Sequence, residues 1–129
     1  MALIKTEAVV IKAADYSEST RLVTLFSPDQ GKIRVMAKGV RRIKSRERGT
    51  LEPFSRVQVT VYLKGPDSLG TLKEASPIAN GAGFRNDYDC WLLGSVVLEV
   101  IDRSSHPGED EQASFRVVCD YLDAMEKIA

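Results

Sequence analysis

Basic side chains are concentrated in one stretch of this sequence, from Gly31 to Gly49. The stretch holds eight Lys and Arg residues and a single acid, Glu47, although the chain as a whole has no formal net charge. Ordinary solvated surfaces mix both signs of charge, so one dominant sign favours a polyanionic ligand, and a phosphate backbone is the obvious one. The candidate contacts are Lys32, Arg34, Lys38, Arg41, Arg42, Lys44, Arg46 and Arg48.

Two kinds of backbone must present these side chains. Apolar and basic residues alternate from Lys32 to Lys38, which predicts a strand with its basic set on the solvent face. The remainder, up to Gly49, is predicted to be a loop that continues the basic surface. Tyr62, on the outward set of a later strand, is the aromatic side chain placed to stack on a base. Phe26 and Phe54 are expected in the core, so electrostatics should dominate binding and sequence preference should be weak.

No arrangement of residues predicts an active site, a metal site or a cofactor site. His106 is the only histidine and precedes Pro107 in a predicted loop, where solvent exposure is the simpler expectation. One histidine without a CxxC pair argues against zinc, and the stretch "GPDSLG" lacks the Lys-Ser/Thr of a phosphate loop. Cys90 and Cys119 lie far apart in the sequence and are predicted to be buried free thiols. We therefore expect a protein that is not an enzyme.

The neutral total conceals two regions of opposite charge. Residues 1–80 contain 14 Lys and Arg against 8 Asp and Glu, whereas residues 81–129 contain 4 against 10. The same division separates a strand-like region from a helix-like one. No apolar run reaches the ~18 residues that a membrane span requires, and the charged N-terminus is unlike a signal peptide, so we expect a cytoplasmic protein.

The first region, residues 1–80, shows five strand-like segments with one apolar face each. Turn-forming residues such as Pro28 and Gly31 separate them. A small closed barrel is the expected arrangement, because closure leaves no free sheet edge. The five segments are "EAVVIKA", "RLVTLF", the strand from Lys32 to Lys38, "RVQVTVYL" and "TLKEA".

The second region, residues 81–129, shows two helical segments. Asn86 is predicted to cap the first, whose sequence "CWLLGSVVLEVI" is apolar nearly all round and indicates a buried helix. If this helix packs on the barrel, Trp91 should be shielded from solvent. The second has apolar residues at helical spacing from Phe115 to Met125. Two helices rarely bury themselves alone, so they either pack on the barrel or begin a larger helical domain.

Several short motifs, taken in order, resemble the amino-terminal region of the RecO family of recombination mediators. They run over roughly residues 1–80, and their order and spacing are more specific than any single fragment. The matching motifs are Asp15-Tyr16-x-Glu18, Arg21 to Phe26, Gly31-Lys32, Lys38 to Arg42, and Leu51 to Phe54.

This resemblance implies a mainly β chain: a five-stranded OB-fold barrel over residues 1–80, followed by a short helical segment over residues 81–129. It further implies binding of single- and double-stranded DNA, strand annealing and recombinational repair at the nucleoid. A RecR-type protein is implied as a partner, with single-strand-binding protein as a second one.

Two other functions remain open on the residues alone. The basic loop could dock an acidic surface of a partner protein, or the barrel could bind RNA. Composition does not separate DNA from RNA, because both need the same basic track.

Overall fold

The computed structural model describes residues 2–38, 51–65 and 67–128. Within these described ranges, five strands precede three helices, so the predicted order of a strand region and a helical region is confirmed. The strands are β1 (Ala2–Asp15), β2 (Thr20–Ser27), β3 (Gly31–Lys38), β4 (Arg56–Leu63) and β5 (Gly70–Ala79). The helices are α1 (Ala82–Asn86), α2 (Tyr88–Ser104) and α3 (Gln112–Ile128).

The strands form one sheet that closes on itself in the order β1-β2-β3-β5-β4. Neighbouring strands are antiparallel except β3 and β5, which run parallel and pair only at Val35 with Gly70 and Met36 with Thr71. β1 is longer than predicted because its first half pairs with β4 and its second half with β2. β5 is also longer than predicted and contains Pro77, which pairs with β4. Pro77 lies beyond the short contact between β5 and β3, so its missing N–H removes no hydrogen bond to β3.

The inside of the barrel is filled by alternate residues of the strands. On β3 the residues Ile33, Val35 and Ala37 are buried while Arg34 and Lys38 are exposed, as the period of two predicts. Val57, Val59, Val61 and Leu63 of β4 fill the same core. Apolar burial of this kind is the main stabilising contribution to such a domain.

A second core joins the helices to the outside of the barrel. It consists of Val9, Ile11, Phe26 and Phe54 from the barrel region and Phe84, Cys90, Leu98, Ile101, Phe115, Val118, Cys119 and Leu122 from the helices. Phe54 and Phe84 stack with ring centroids 4.6 Å apart, and Gly94 allows this close approach, since a Cβ there would lie 2.7 Å from Phe54. The expected core roles of Phe26 and Phe54 are confirmed.

Two details of α2 differ from the prediction. Asp87, not Asn86, is the N-cap, because its carboxylate accepts the Cys90 N–H at 3.1 Å while Asn86 ends α1. The helix is also not buried all round. Trp91 is 44% exposed, and Leu92, Val96 and Val100 are exposed as well. Only the side bearing Cys90, Gly94, Leu98 and Ile101 packs inward, since one helix can press only one side against the barrel.

The loop between α2 and α3 is fastened to the turn between β2 and β3. The Gly108 N–H donates to the Gln30 carbonyl at 2.8 Å, and the Glu111 N–H donates to the Pro28 carbonyl at 2.7 Å. Gly31 adopts φ +62°, and a Cβ on it would lie 2.3 Å from the His106 carbonyl oxygen. Glycine is therefore required here both for its conformation and for its lack of a side chain.

Both cysteines are buried and free, as predicted. Burial raises the pKa of the Cys119 thiol to about 11. Among residues 2–38, 51–65 and 67–128, no helix is long and apolar enough to cross a bilayer.

Candidate nucleic-acid interface

Four of the nine predicted contact residues belong to the described part of the chain: Lys32, Arg34, Lys38 and Tyr62. The structure gives these four side chains different surroundings. The other five, Arg41, Arg42, Lys44, Arg46 and Arg48, lie outside the described residues.

Arg34 and Lys38 have the positions that a phosphate contact requires. Both are exposed on the outer face of β3, where Met36 is the residue between them on the same face. Neither makes an ion pair with any carboxylate among the described residues. Their charges are thus not neutralised by the rest of the described chain, and Lys38 is the last described residue before the other five cations of the basic stretch.

Lys32 faces outward on the same strand but is engaged by α2. Its ammonium donates to the Asp102 main-chain carbonyl at 2.8 Å and to the Asp102 carboxylate at 3.2 Å, and the side chain is only 22% exposed. Lys12 of β1 binds the same carboxylate at 3.0 Å. Burial acts to raise the pKa of Asp102, but the hydrogen bonds from both lysines outweigh burial and hold that pKa below its usual value. In this structure Lys32 therefore joins the barrel to the helices.

Tyr62 lies on the outer face of β4, as predicted, and its side chain is partly exposed. The Lys73 ammonium lies 5.6 Å from the centroid of the Tyr62 ring, within the range of a cation–π contact. On either side in the sheet, Tyr62 is paired with Leu3 of β1 and Thr71 of β5. Because β5 pairs with both β4 and β3, the Tyr62 ring belongs to the same outer surface as the exposed side chains of β3.

Three further lysines, which were not among the contacts predicted from the sequence, share this surface. Lys5 of β1, Lys64 after β4 and Lys73 of β5 are all exposed. None of the three forms an ion pair among the described residues. Each stands alone in its own segment, so no cluster in the sequence marks them; Lys5 and Lys73 are on strands and Lys64 directly follows one. Their grouping arises from strand pairing.

Ion pairing divides the barrel cations into two groups. Cations beside the helices are paired: Lys12 and Lys32 with Asp102, and Arg56 with Glu7 at 2.8 Å and Asp123 at 2.9 Å. The exposed cations farther from the helices form no ion pair among the described residues: Arg34 and Lys38 of β3, Lys73 of β5, Lys64 after β4 and Lys5 of β1. The acidic helices therefore neutralise the side of the barrel that they cover and leave the other side positive.

Several residues of the sequence motifs have structural positions instead of exposed ones. Arg21 donates to Glu52 at 2.6 Å and lies 3.2 Å from Asp15, which ties the end of β1 and the start of β2 to the segment before β4. Leu51 is buried in the barrel core and Phe54 in the second core. These motif residues specify the scaffold, while Lys38 adds charge at its surface.

His106 is exposed, and its ring Nδ1 lies 3.9 Å from the Glu109 carboxylate. Its main-chain carbonyl accepts the Lys32 N–H at 3.4 Å, so its described contact with the barrel is made by the backbone. Within the described ranges, no group of three or more His, Cys, Asp or Glu side chains is placed to hold a metal ion.

Comparison with known proteins gives a consistent family. The family model "Recombination protein O N terminal" matches residues 1–80. A DNA repair protein RecO from Bifidobacterium adolescentis is 38% identical over 131 residues, covering 100% of this chain and 52% of that protein. Proteins of the same name from Geobacter metallireducens and Salinibacter ruber are each 35% identical, covering 95% and 90% of this chain and 50% and 45% of theirs. The chain thus spans about half the length of these relatives.

Proposed function

Because this chain belongs to the recombination protein O family, we propose that its barrel binds single- and double-stranded DNA without sequence preference in recombinational repair and strand annealing. The relatives are named DNA repair proteins, in agreement with the expected non-enzymatic role. The observation that carries the proposal is the exposed pair Arg34 and Lys38 on β3, which form no ion pair among the described residues and directly precede the other five cations of the basic stretch.

The strand arrangement supports an OB-fold barrel. OB-folds are five-stranded, partly open Greek-key barrels that bind oligonucleotides. Here β1 pairs with both β2 and β4, and the contact between β3 and β5 is limited to two residue pairs. Both features match that description.

Binding would be mainly electrostatic. Each phosphate that a Lys or Arg neutralises releases condensed counterions, so affinity falls as salt rises, with a slope of about −0.7 per contact on single strands. About four contacts from the basic stretch give a slope near −3 in a plot of log K against log salt concentration. Contacts to phosphates carry no sequence information, so all sequences should bind alike.

The test is a salt series with labelled single-stranded and duplex DNA. Replacing Arg41, Arg42 and Lys44 by Ala should weaken binding to every DNA sequence and flatten the salt slope. The matched control replaces three exposed helical cations, Arg103, Arg116 and Lys127, by Ala, which changes the net charge equally. This control should retain the slope of the parent protein.

Equal affinity and an equal slope for the variant lacking Arg41, Arg42 and Lys44 and for the parent would overturn the proposal. An acidic partner protein that bound the parent but not this variant would then favour the basic stretch as a protein-docking element. Tighter binding of RNA than of DNA under the same salt conditions would favour the RNA-binding alternative.

Partners and context are proposed from family membership. We expect a RecR-type partner protein, with single-strand-binding protein as a second candidate, and action on nucleoid DNA in the cytoplasm. We also propose that the helical segment, residues 81–129, forms part of a larger helical domain. The support is the exposed apolar side of α2 and the roughly twofold greater length of the relatives.

A further inference from the structure

Four residues form a continuous line across the outside of the barrel. Strand register places Leu3 of β1 opposite Tyr62, Tyr62 opposite Thr71, and Thr71 opposite Met36 of β3. Directly paired residues point to the same face of a sheet, so all four side chains share the outer surface. We call these four residues the outer row.

The outer row is partly apolar although it faces solvent. Leu3 is 50% exposed, and Tyr62 and Met36 are partly exposed. Four strands with a spacing of about 4.8 Å give the row a length of about 14 Å. This length corresponds to about four nucleotides at the 3.4 Å spacing of a stacked strand and to fewer when the strand is extended.

Cations flank the outer row on both of its sides. Two positions along each strand from the row lie Lys38 on β3, Lys73 on β5 and Lys5 on β1. Because β3 and β5 are parallel and β1 runs antiparallel to β4, these three lysines fall on the same side. We call them the lysine row. Lys5 pairs with Thr60 and Thr60 pairs with Glu74, so the exposed carboxylate of Glu74 lies within this row. Arg34 and Lys64 lie on the opposite side.

A bulge in β5 brings the lysine row to the aromatic ring. Thr60 pairs with Glu74 and Val61 with Leu72, so Lys73 is the extra residue between them. Bulges redirect side chains. Here the Lys73 ammonium lies 5.6 Å from the Tyr62 centroid, and its charge is therefore held beside the aromatic ring.

We propose that a single DNA strand crosses the barrel along the outer row, with a base stacked on Tyr62 and its phosphates on the lysine row. This inference rests on the DNA binding proposed above and assigns Lys5 and Lys73 to the site. Stacking contributes about 5- to 150-fold to affinity and an exposed cation–π contact about 2- to 5-fold, so a base displaces the Lys73 ammonium from the ring. The displaced ammonium then binds a phosphate.

Duplex DNA uses the site differently. Its bases are stacked on one another inside the helix, so none is free to lie on Tyr62 without flipping out. A duplex can still bind the cations through its phosphates. Tyr62 therefore distinguishes single strands from duplexes, whereas the lysine row does not.

The first experiment changes charge. The double variant Lys5→Ala/Lys73→Ala should lower the magnitude of the salt slope for a labelled oligothymidine by about 1.4, which is two contacts of about 0.7 each. The double variant Arg116→Ala/Lys127→Ala removes the same charge from exposed positions of α3 and should leave the slope unchanged. Circular dichroism of each variant verifies that it is folded.

The second experiment changes the ring. Tyr62→Ala should weaken binding of the oligothymidine about 5- to 150-fold and leave binding of a duplex of equal length nearly unchanged. Tyr62→Phe keeps the aromatic face and should bind both as the parent does.

The outcomes separate this inference from the function on which it rests. If the parent binds DNA with a steep salt slope but Lys5→Ala/Lys73→Ala keeps that slope, the path along the outer row is wrong and the basic-stretch proposal stands. Equal losses for single strands and duplexes with Tyr62→Ala would likewise refute stacking. If the parent binds neither DNA, both proposals fail.

Discussion

Replacement of Gly31 by Ala should destabilise the protein strongly, because it disrupts the attachment of the helices to the barrel. The backbone at Gly31 has φ +62°, which costs a residue with a side chain about 1–3 kcal/mol. The new Cβ would lie 2.3 Å from the His106 carbonyl oxygen and 3.1 Å from that of Glu109. Both neighbours are backbone, so the whole α2–α3 loop must move.

The magnitude follows from the bonds that this movement strains. The two backbone hydrogen bonds, Gly108 to Gln30 and Glu111 to Pro28, contribute about 1 kcal/mol each. Added to the conformational cost, this gives a loss of about 3–5 kcal/mol in the free energy of unfolding. A domain of this size has about 5–15 kcal/mol in total, so the loss is a large share of it.

Urea unfolding followed by far-ultraviolet circular dichroism measures this loss. The matched control is Gly65→Ala, since φ at Gly65 is not positive and its Cβ would meet only the Ser68 hydroxyl at 3.7 Å. This control should change stability by less than about 1 kcal/mol. If Gly31→Ala were as mild as the control, the inference that the turn and the loop are rigidly fastened would be refuted.

Three other predictions concern the helices. Asp102→Ala should cost about 1–2 kcal/mol by removing the charged hydrogen bonds to Lys12 and Lys32. The pKa of Asp102 is lowered in the folded state, so its contribution to the parent's stability is present above about pH 4 and is lost as the pH falls further. The free energies of unfolding of the parent and of Asp102→Ala, measured in urea, should therefore become equal in acid. Burial raises the pKa of Cys119 from 9.0 to about 11. Between about pH 9 and pH 11 the free energy of unfolding of the parent should therefore fall by up to about 2–3 kcal/mol more than that of Cys119→Ala. Equal losses in the two proteins over this pH range would contradict this prediction. Trp91 should be quenched by acrylamide in the native protein, as its 44% exposure requires, and strong shielding would show that the exposed side of α2 is covered.

The sequence determined the local features of this fold. Alternation on β3 and β4 predicted which side chains enter the barrel, since a strand places successive residues on opposite faces whatever lies beside it. Helical spacing in α3 predicted the buried positions Phe115, Val118 and Leu122 for the same reason. The ordered motifs also identified the family without knowledge of the fold.

Only the tertiary structure decided how equivalent positions differ. Lys32 and Arg34 occupy the same face of one strand, yet Lys32 binds Asp102, seventy residues away along the chain, while Arg34 stays exposed. The two sides of α2 are similarly apolar in sequence, but only one meets the barrel.

The candidate site shows the same division. Lys38 was recognisable within its basic stretch, whereas Lys5 and Lys73 became its neighbours only through the pairing of β3 with β5 and of β4 with β1. Strand pairing joins residues that are distant in sequence, and its register depends on how the whole core packs. Local periodicity in the sequence therefore does not show which strands pair or in which register.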